Sequence, residues 1–520
     1  MRLTKLIKPS FSDLFFLALL CWLFVVSPDG FRGLLHDGDT GWHIRTGDYI
    51  LSHGEVPHVD IFSFSKPGQA WFAWEWGADV IYSLLHRVWG LKGVAWLGAI
   101  QICLFATILL RYSLWRGANL ICAQLFVLLA IGACTVHYLA RPHLFTLMLL
   151  PICLWLLEAD RRSPGKLVWV TVPITIVWTN LHGGVLAWVA CTGLFLVGGA
   201  AEMLLDGRLR EWRSLGRQGL LVLATAAGTL VNPYGWGLHK HVAEYMSSDF
   251  IRSVVQEFQS PSFRSENQFQ YEVLLLVGLM AAAMKLSRRR VVDALLILFW
   301  AHQSLGSVRH ITVFSSLAAP IVADEASRLW TWWVAGGGKK STRQILHSLA
   351  SDMRPSFEWN SVWPAAIALG VLLIGALPVK WPSDFPGYRF PVELTNRHQT
   401  LLRTGRLLTT DQWADYMIYR FYPSQRVFFD GRSDFYGSQL GEEYLRLSGG
   451  SHDWRQILER HKFDRALVPS GWSLTSLLKE DKSWRVVADD GKALLFERIS
   501  ARPPGSAEVR QNFPDPALMN

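Results

Sequence analysis

The chain has 520 residues, of which 50% are hydrophobic and only 18% charged, and its mean hydropathy is +0.19. This balance excludes intrinsic disorder, collagen, coiled coils and small disulfide-rich secreted modules. It is also unusual for a soluble protein, because a soluble surface needs more charge. The net charge of +9 lies in short clusters between apolar runs, which excludes a single nucleic-acid-binding patch and is typical of a multispanning membrane protein.

About eleven segments are predicted to cross a membrane, since a spanning helix needs ~20 largely apolar residues. In chain order they are Phe11–Ser27, Leu91–Leu110, Ala118–Val136, His143–Leu157, Leu167–Thr179, Gly183–Leu205, Gly219–Val231, Tyr271–Met284, Val291–Gln303, Ile311–Ala323 and Val362–Val379. The six cysteines lie in these apolar runs without CxxC spacing, so neither a disulfide framework nor a zinc site is indicated.

The Lys and Arg residues predict the orientation of the spans. They precede the first span and then occupy every second turn, at Arg2, Lys5, Lys8, Arg111, Arg116, Arg161, Arg162, Lys166, Arg208, Arg210, Arg213, Arg217, Lys285, Arg288, Arg289, Arg290, Lys339, Lys340 and Arg343. By the positive-inside rule the N-terminus is cytoplasmic and the C-terminus lies outside. We therefore expect a multi-pass protein of the cytoplasmic (inner) membrane, with an uncleaved first span.

Three regions are predicted from these patterns. Residues 1–379 form a transmembrane domain with a large first outer loop, 28–90, in which Asp39–His53 and Trp74–Trp89 read as helices. Residues 380–500 alternate short strands and helices, which is typical of a small extracytoplasmic α/β domain with a partly parallel sheet. The expected strands are Leu407–Thr409, Arg426–Phe429, Ala466–Val468, Trp484–Val487 and Ala493–Phe496, and 501–520 is expected to be a flexible tail.

Ionisable and polar residues beside the spans gather in the predicted outer turns, where they are costly and therefore informative. They are Asp37, Asp39, His43, Arg45, Asp60, Glu75, Asp79, His137, Arg141, His143, Asn180, His182, Asn232, His239, His241, Glu257, Arg309 and His310. The one-sided distribution predicts a site assembled at the outer membrane–water boundary.

Each candidate has a structural alternative. Asp39 stands where a helix N-cap would stand, so its carboxylate is either a cap or a catalytic group. The turn at His182 is either a tight interhelical connection or a place where a ligand approaches the backbone. Arg141 and Arg309 either reach lipid headgroups or bind phosphate. HExxH does not occur, and Asp37-Gly38-Asp39 is only a weak local match to paired carboxylates, so the sequence leaves a divalent cation open as a cofactor.

The stretch from His36 to Pro57, with Asp37-Gly38-Asp39 and Gly54, resembles the first outer loop of GT-C membrane glycosyltransferases, such as protein O-mannosyltransferases and aminoarabinose transferases. Members have an acidic residue soon after the first span, then a surface helix and a Gly…Pro turn. Asp39 best fits the acidic position and Asp37 is its rival. The usual Asp-Glu doublet is replaced by Asp39-Thr40.

The resemblance implies a GT-C-like helical polytopic fold and an inverting transferase that moves a sugar from a polyprenyl-phosphate donor to a glycan, lipid or protein acceptor among the membrane lipids. It implies catalytic roles for Asp39, Asp37 or Glu75. The predicted substrate- and phosphate-binding residues are His43, Arg45, His137, Arg141, His182, Arg309 and His310. Two alternatives remain: a transporter or flippase of lipid-linked glycans, with charges along the span centres, and a non-catalytic scaffold with a filled bundle.

Overall fold

The computed structural model describes residues 6–26, 29–207, 212–264, 268–338, 340–357, 359, 361–374 and 381–499. Its helices before the sheet are α1 (Phe11–Cys21), α2 (Asp39–His53), α3 (Trp76–Trp89), α4 (Leu91–Arg116), α5 (Leu120–Cys134), α6 (His143–Arg162), α7 (Thr171–Thr179), α8 (Val185–Leu205), α9 (Trp212–Gly228), α10 (Trp236–Ser247), α11 (Asp249–Val254), α12 (Phe269–Ser287), α13 (Val291–Gly306), α14 (Ile311–Ala335), α15 (Thr342–Met353), α16 (Trp363–Ile374), α17 (Val392–Arg397) and α18 (Gln399–Leu402). The predicted tail 501–520 and the orienting residues Arg2, Lys5, Arg208, Arg210 and Lys339 lie outside the described residues.

Each of the eleven apolar segments coincides with a helix in the described part of the chain. Five helical stretches are long and apolar enough to cross a membrane by themselves: Leu91–Arg116, Leu120–His137, His143–Arg162, Val185–Leu205 and Phe269–Ser287. Four of the other apolar helices are shorter, including Val291–Gly306 and Trp363–Leu373. The number of spans and their direction therefore stay predictions.

Helix α2 forms where expected, but Asp39 is not its cap. Gly38 occupies the N-cap position, and the Asp37 carboxylate accepts a hydrogen bond from the Asp39 backbone N–H at 3.0 Å. Of the two alternatives for Asp39, the capping role is therefore not met, because Asp37 accepts that backbone N–H and leaves the Asp39 carboxylate available for other contacts. The helix ends at Gly54, whose φ of +73° favours glycine.

The C-terminal region contains a four-stranded sheet of β1 (Leu407–Thr409), β2 (Arg465–Pro469), β3 (Trp484–Asp489) and β4 (Ala493–Arg498) in the order β1-β2-β4-β3. Strands β1 and β2 are parallel and the other pairs antiparallel, so the partly parallel prediction is confirmed. Its helices are α19 (Asp411–Phe421), α20 (Ser433–Ser448), α21 (Trp454–His461) and α22 (Ser473–Glu480).

The strand predicted at Arg426–Phe429 does not form. Only Val427 makes isolated parallel bridges there, to Leu407 and to Ser63 of the first outer loop. This segment therefore joins the edge of the C-terminal sheet to the first outer loop. Helix α19 also packs directly on α2, where Gly41 leaves space for the backbone carbonyl of Asp415.

A buried clamp ties the first outer loop to the C-terminal region. The Arg432 guanidinium contacts Asp60 of the loop at 2.9 Å through Nη1 and Asp430 at 2.7 Å through Nη2. The same guanidinium lies over the ring of Trp71, 4.6 Å from its centroid, and Tyr436 donates a hydrogen bond to Asp430. All four polar residues are essentially buried, so the distinctive Asp430–Gly437 motif holds the two regions together.

A second buried ion cluster lies at the other end of the helical bundle. Arg116, the last residue of α4, pairs with Glu158 near the end of α6 and with Asp293 at the start of α13. Lys285, near the end of α12, contacts Asp293 and Asp324. These charges lie mainly at helix ends rather than along helix centres, and they join the five helices α4, α6, α12, α13 and α14.

Candidate active site

A cavity of about 1600 Å³ opens between the first outer loop, the ends of the helices and the C-terminal region. One part of its wall is apolar and comes from the predicted spans, with Leu147, Leu186, Ala190, Phe299 and Val313. Another part is polar and comes from the outer turns and the α/β region, with Asp37, Asp39, Glu75, His137, Arg141, His143, His182, Glu257, Arg309, His310, Asp434 and Gln412. The cavity thus combines a hydrophobic side with a charged end.

Arg141 is the centre of the charged end. Its Nη2 lies 2.6 Å from Asp39 Oδ2, and its Nη1 lies 2.8 Å from Asp37 Oδ2 and 2.9 Å from Glu257 Oε1. A planar guanidinium suits this task because it offers several donors in fixed directions. Three carboxylates from two distant segments are therefore positioned by one cation.

Arg309 shares Glu257 with Arg141. Its guanidinium donates to Glu257 Oε2 at 2.6 Å and lies over Phe258, 4.3 Å from the ring centroid. Burial raises the pKa of Glu257, but Arg141 and Arg309 outweigh burial and hold that pKa well below its ordinary value. Arg309 has one carboxylate partner where Arg141 has three, and its side chain is 35% exposed. It is therefore the cation better placed to meet an anionic ligand.

Asp39 faces a second carboxyl group that the sequence analysis missed. Asp415 of α19 is fully buried, and the facing oxygens, Asp39 Oδ1 and Asp415 Oδ2, find no other hydrogen-bond partner among the described residues. Burial, together with the Asp39 charge, raises the pKa of Asp415 well above its usual range. Burial also raises the pKa of Asp39 to about 7, although Arg141 acts in the opposite direction. A proton held by Asp415 and donated to Asp39 satisfies both oxygens.

Gly431 closes this pair from behind. A Cβ there would overlap Asp39 Oδ1 and lie 2.8 Å from Asp415 Oδ2, while the Gly431 backbone N–H donates to Asp415 Oδ1 at 3.1 Å. We expect Gly431→Ala to lower the free energy of unfolding by about 1–3 kcal/mol through overpacking. Thermal or denaturant unfolding of the purified protein checks this. Gly471→Ala, which adds a methyl group to open space, is the matched control and should be near neutral; equal effects of both would contradict the contact.

Glu75 lies between two imidazole rings. Its Oε2 is 3.6 Å from His43 Nε2, and its Oε1 is 3.5 Å from His182 Nε2. His43 in turn contacts Asp79 Oδ1 at 2.6 Å through Nδ1. Burial raises the pKa of Glu75 to about 8, although Arg141 and Arg309 lower it. The carboxyl group of Glu75 therefore carries a proton at neutral pH.

Eight of the ten predicted site residues line the cavity: Asp37, Asp39, Glu75, His137, Arg141, His182, Arg309 and His310. His43 is completely buried behind the wall, against Asp79, so it cannot contact a bound phosphate directly as predicted. Arg45 also lies away from the cavity, because its guanidinium contacts Asp48 and the backbone carbonyl of Tyr419. The predicted phosphate contacts of these two residues are therefore wrong.

Glu257 and Asp434 appear in the cavity without having been chosen as site residues. Asp434 accepts from His241 at 3.0 Å, beside Trp74. No group of three or more His, Cys, Asp or Glu residues with a metal-binding arrangement occurs among the described residues. The question of a divalent cation stays open.

Solved structures of an archaeal oligosaccharyltransferase share this fold. Oligosaccharyltransferase AglB from Archaeoglobus fulgidus, in complex with an inhibitory peptide and a dolichol-phosphate, matches with a TM-score of 0.57 at 8% identity over 88% of this chain and 69% of its own. An apo structure of the oligosaccharyltransferase from the same organism matches with a TM-score of 0.51 at 10% identity, over 88% and 69%. ArnT from Cupriavidus metallidurans, bound to undecaprenyl phosphate, has a TM-score of 0.40 at 14% identity, over 94% and 98%.

No protein-family model and no curated protein sequence matches the chain. At these identities the structural matches show the fold alone. They show that the chain shares the fold of the oligosaccharyltransferase AglB, which agrees with the fold implied by the predicted resemblance. The helical architecture with a small C-terminal sheet is confirmed with it.

Proposed function

We propose that the protein is a membrane glycosyltransferase that moves a sugar from a polyprenyl-phosphate donor to an acceptor at the outer face of the cytoplasmic membrane. The observation that carries the proposal is the cavity, which joins an apolar wall on the predicted spans to a charged end with two arginines and several acids. A polyprenyl phosphate has the same two-part chemistry. The AglB structure, which has this fold, contains a dolichol-phosphate.

In this proposal Asp39 is the general base of an inverting displacement. Asp39 takes the proton from an acceptor hydroxyl while that oxygen attacks the anomeric carbon, and the bond from this carbon to the phosphate oxygen breaks. A base works best when its pKa lies near the working pH, and burial raises the pKa of Asp39 to about 7. Arg141 fixes one oxygen of Asp39 at 2.6 Å, which holds the carboxylate in place.

Arg309 is the proposed phosphate-binding residue. Its guanidinium lines the cavity and, in the part of the chain that the structure describes, has only Glu257 as a carboxylate partner, so it can turn part of its donor set toward the leaving phosphate. Arg141 is more fully neutralised and acts mainly by positioning Asp37 and Asp39. Negative charge that develops on the leaving group would be stabilised here more than in water, since the surroundings have a low dielectric constant.

The other two candidate functions receive less support. A scaffold would have a filled bundle, whereas this one holds a cavity of about 1600 Å³ bordered by Asp39, Glu75 and Arg141. A transporter is expected to place charges near the membrane midplane. The buried ions around Arg116 are instead mainly at helix ends.

The proposal is tested by incubating the purified protein with radiolabelled polyprenyl-phosphate sugars and membrane extract. We expect label to leave the donor and to appear in a glycan, lipid or protein fraction, which also identifies the acceptor class. Arg309→Gln should reduce this transfer and weaken retention of the polyprenyl phosphate. If the protein is folded and no donor transfers label to any fraction, the proposal is overturned.

We expect the rate of transfer to fall as the pH decreases through about 7. The pKa of Asp39 is raised to about 7 by burial, so the group is protonated below that pH and cannot accept a proton. Initial rates measured across pH 5–8 should therefore show an acidic limb with a midpoint near 7. A limb at the pH of an ordinary aspartate would show that the base lies elsewhere.

A further inference from the structure

Two polar side chains, His43 and Asp79, form a chain behind Glu75. Both are completely buried, and His43 Nε2 and Asp79 Oδ2 have no hydrogen-bond partner among the described residues. The unpartnered His43 Nε2 points at Glu75 Oε2, 3.6 Å away. A polar atom that is left unpaired in the interior is costly, and the Glu75 carboxyl is the polar group that this nitrogen faces.

The tautomer of His182 follows from its neighbours. The backbone N–H of Gly184 lies 3.0 Å from His182 Nδ1, and the Thr146 hydroxyl lies 2.7 Å from the same atom. Thr146 accepts from Trp178 Nε1, so its own hydrogen is free to donate to His182. Nδ1 is therefore an acceptor, and the proton of the neutral ring is on Nε2, facing Glu75 Oε1.

His43 has the same orientation if Asp79 is protonated. Burial raises the pKa of Asp79 well above its usual range, and burial lowers the pKa of His43 well below its ordinary value. A protonated Asp79 donates to His43 Nδ1 at 2.6 Å, which leaves the ring proton on Nε2. Two neutral imidazoles then offer one N–H each to the two oxygens of Glu75.

We propose, on the basis of the proposed function, that Glu75 is the proton donor of the site and that His43, Asp79 and His182 are its positioning residues. As the bond between the anomeric carbon and the phosphate oxygen breaks, its electron pair goes to that oxygen, which takes the proton of Glu75. The acceptor proton goes to Asp39, and exchange with water restores both groups. The two imidazole N–H groups stabilise the Glu75 carboxylate that remains.

Other charged groups also act on this proton. The pKa of Glu75 is shifted by the charges of Arg141, Arg309, Asp39 and Asp434. The pKa of His43 is shifted by the charges of Arg141, His143 and His182, and the Tyr82 ring lies beside it. The arginines favour the carboxylate form of Glu75 and the aspartates disfavour it. Among the described residues, His43 and His182 direct a ring nitrogen toward its oxygens, at 3.6 and 3.5 Å, so removing either N–H should act specifically on the charged form.

The test uses infrared difference spectroscopy on the purified full-length protein without substrate. The C=O band of protonated Glu75 is identified as the carboxylic-acid band that is missing in Glu75→Gln. In the wild type this band should titrate near pH 8. His43→Phe removes an N–H donor to the carboxylate and should raise this midpoint by about one to two pH units. His43→Gln, which retains an N–H donor, should keep the midpoint near the wild-type value.

Two further variants make the assignment falsifiable. Asp79→Asn can still donate to His43 Nδ1 and should leave the midpoint unchanged; a shift as large as that of His43→Phe would show that Asp79 is ionised and overturn the tautomer. His239→Phe, which alters a histidine bonded to Thr229, is the control and should not move the midpoint. An unchanged midpoint in His43→Phe would overturn the proposed chain.

The infrared titration separates this inference from the proposed function. A shifted midpoint in a protein that transfers no sugar would retain the Glu75 chain and reject glycosyl transfer. Transfer activity with an unshifted midpoint would retain glycosyl transfer and reject the chain. In an active protein, the alkaline limb of the rate should also move upward in His43→Phe, because the proton donor is retained to higher pH.

Discussion

Asp39→Asn should lower sugar transfer by about 10²–10⁴-fold, the range that a lost general base typically costs. The amide has nearly the shape of the carboxylate and can still lie between Arg141 and Asp415, so folding should be preserved. Initial rates with a radiolabelled polyprenyl-phosphate sugar measure the loss. Thermal unfolding of the same preparation checks that the variant is intact.

Asp37→Asn is the matched control for this experiment. Asp37 is two residues away, contacts the same guanidinium at 2.8 Å and lines the same cavity. Its loss should weaken transfer less, because Asp37 accepts the Asp39 backbone N–H and thereby supports the start of α2. A larger loss in Asp37→Asn than in Asp39→Asn would transfer the role of base to Asp37.

The helical segments could be predicted because their signal is local. Runs such as Leu91–Leu110 and His143–Leu157 are apolar over enough residues to form buried helices whatever their neighbours are. The ends of these helices cannot be predicted in the same way, because α4 continues beyond the apolar run to Arg116 and α6 to Arg162. Both extensions carry charges that find partners in the buried ion cluster, and hydropathy does not report such partners.

The outer site could be predicted only in part. One-sided clustering of Asp39, Glu75, Arg141 and Arg309 pointed to the cavity they share. Asp415 was missed because it lies on an amphipathic helix of the C-terminal region, and no local pattern distinguishes it from a solvated residue. His43 lies away from the cavity because packing of α2 on α3 turns it toward Asp79, and its spacing from Asp39 on one helical face does not reveal this packing.

The role of the Asp430–Gly437 motif depends on a residue far away in sequence, so it cannot be predicted from the motif itself. Its Arg432 pairs with Asp60, which lies in the first outer loop far away in sequence. The Arg432 guanidinium compensates part of the negative charge of the two buried carboxylates, Asp60 and Asp430. The same motif supplies Gly431, which contacts Asp39 and Asp415, so the clamp and the proposed base share one backbone segment.

Arg432→Met should therefore destabilise the docking of the C-terminal region by about 3–5 kcal/mol, because it leaves two carboxylates buried without a cation. Limited proteolysis of residues 381–499 and denaturant unfolding should both show the loss. The matched control is Arg485→Met, which breaks an exposed pair with Glu497 and should cost less than about 1 kcal/mol. Adding Asp60→Asn and Asp430→Asn to Arg432→Met should recover part of the stability, since the uncompensated charges are then absent. If Arg432→Met were as stable as the control, Asp60 and Asp430 would not depend on this guanidinium, and the motif would not hold the base in place.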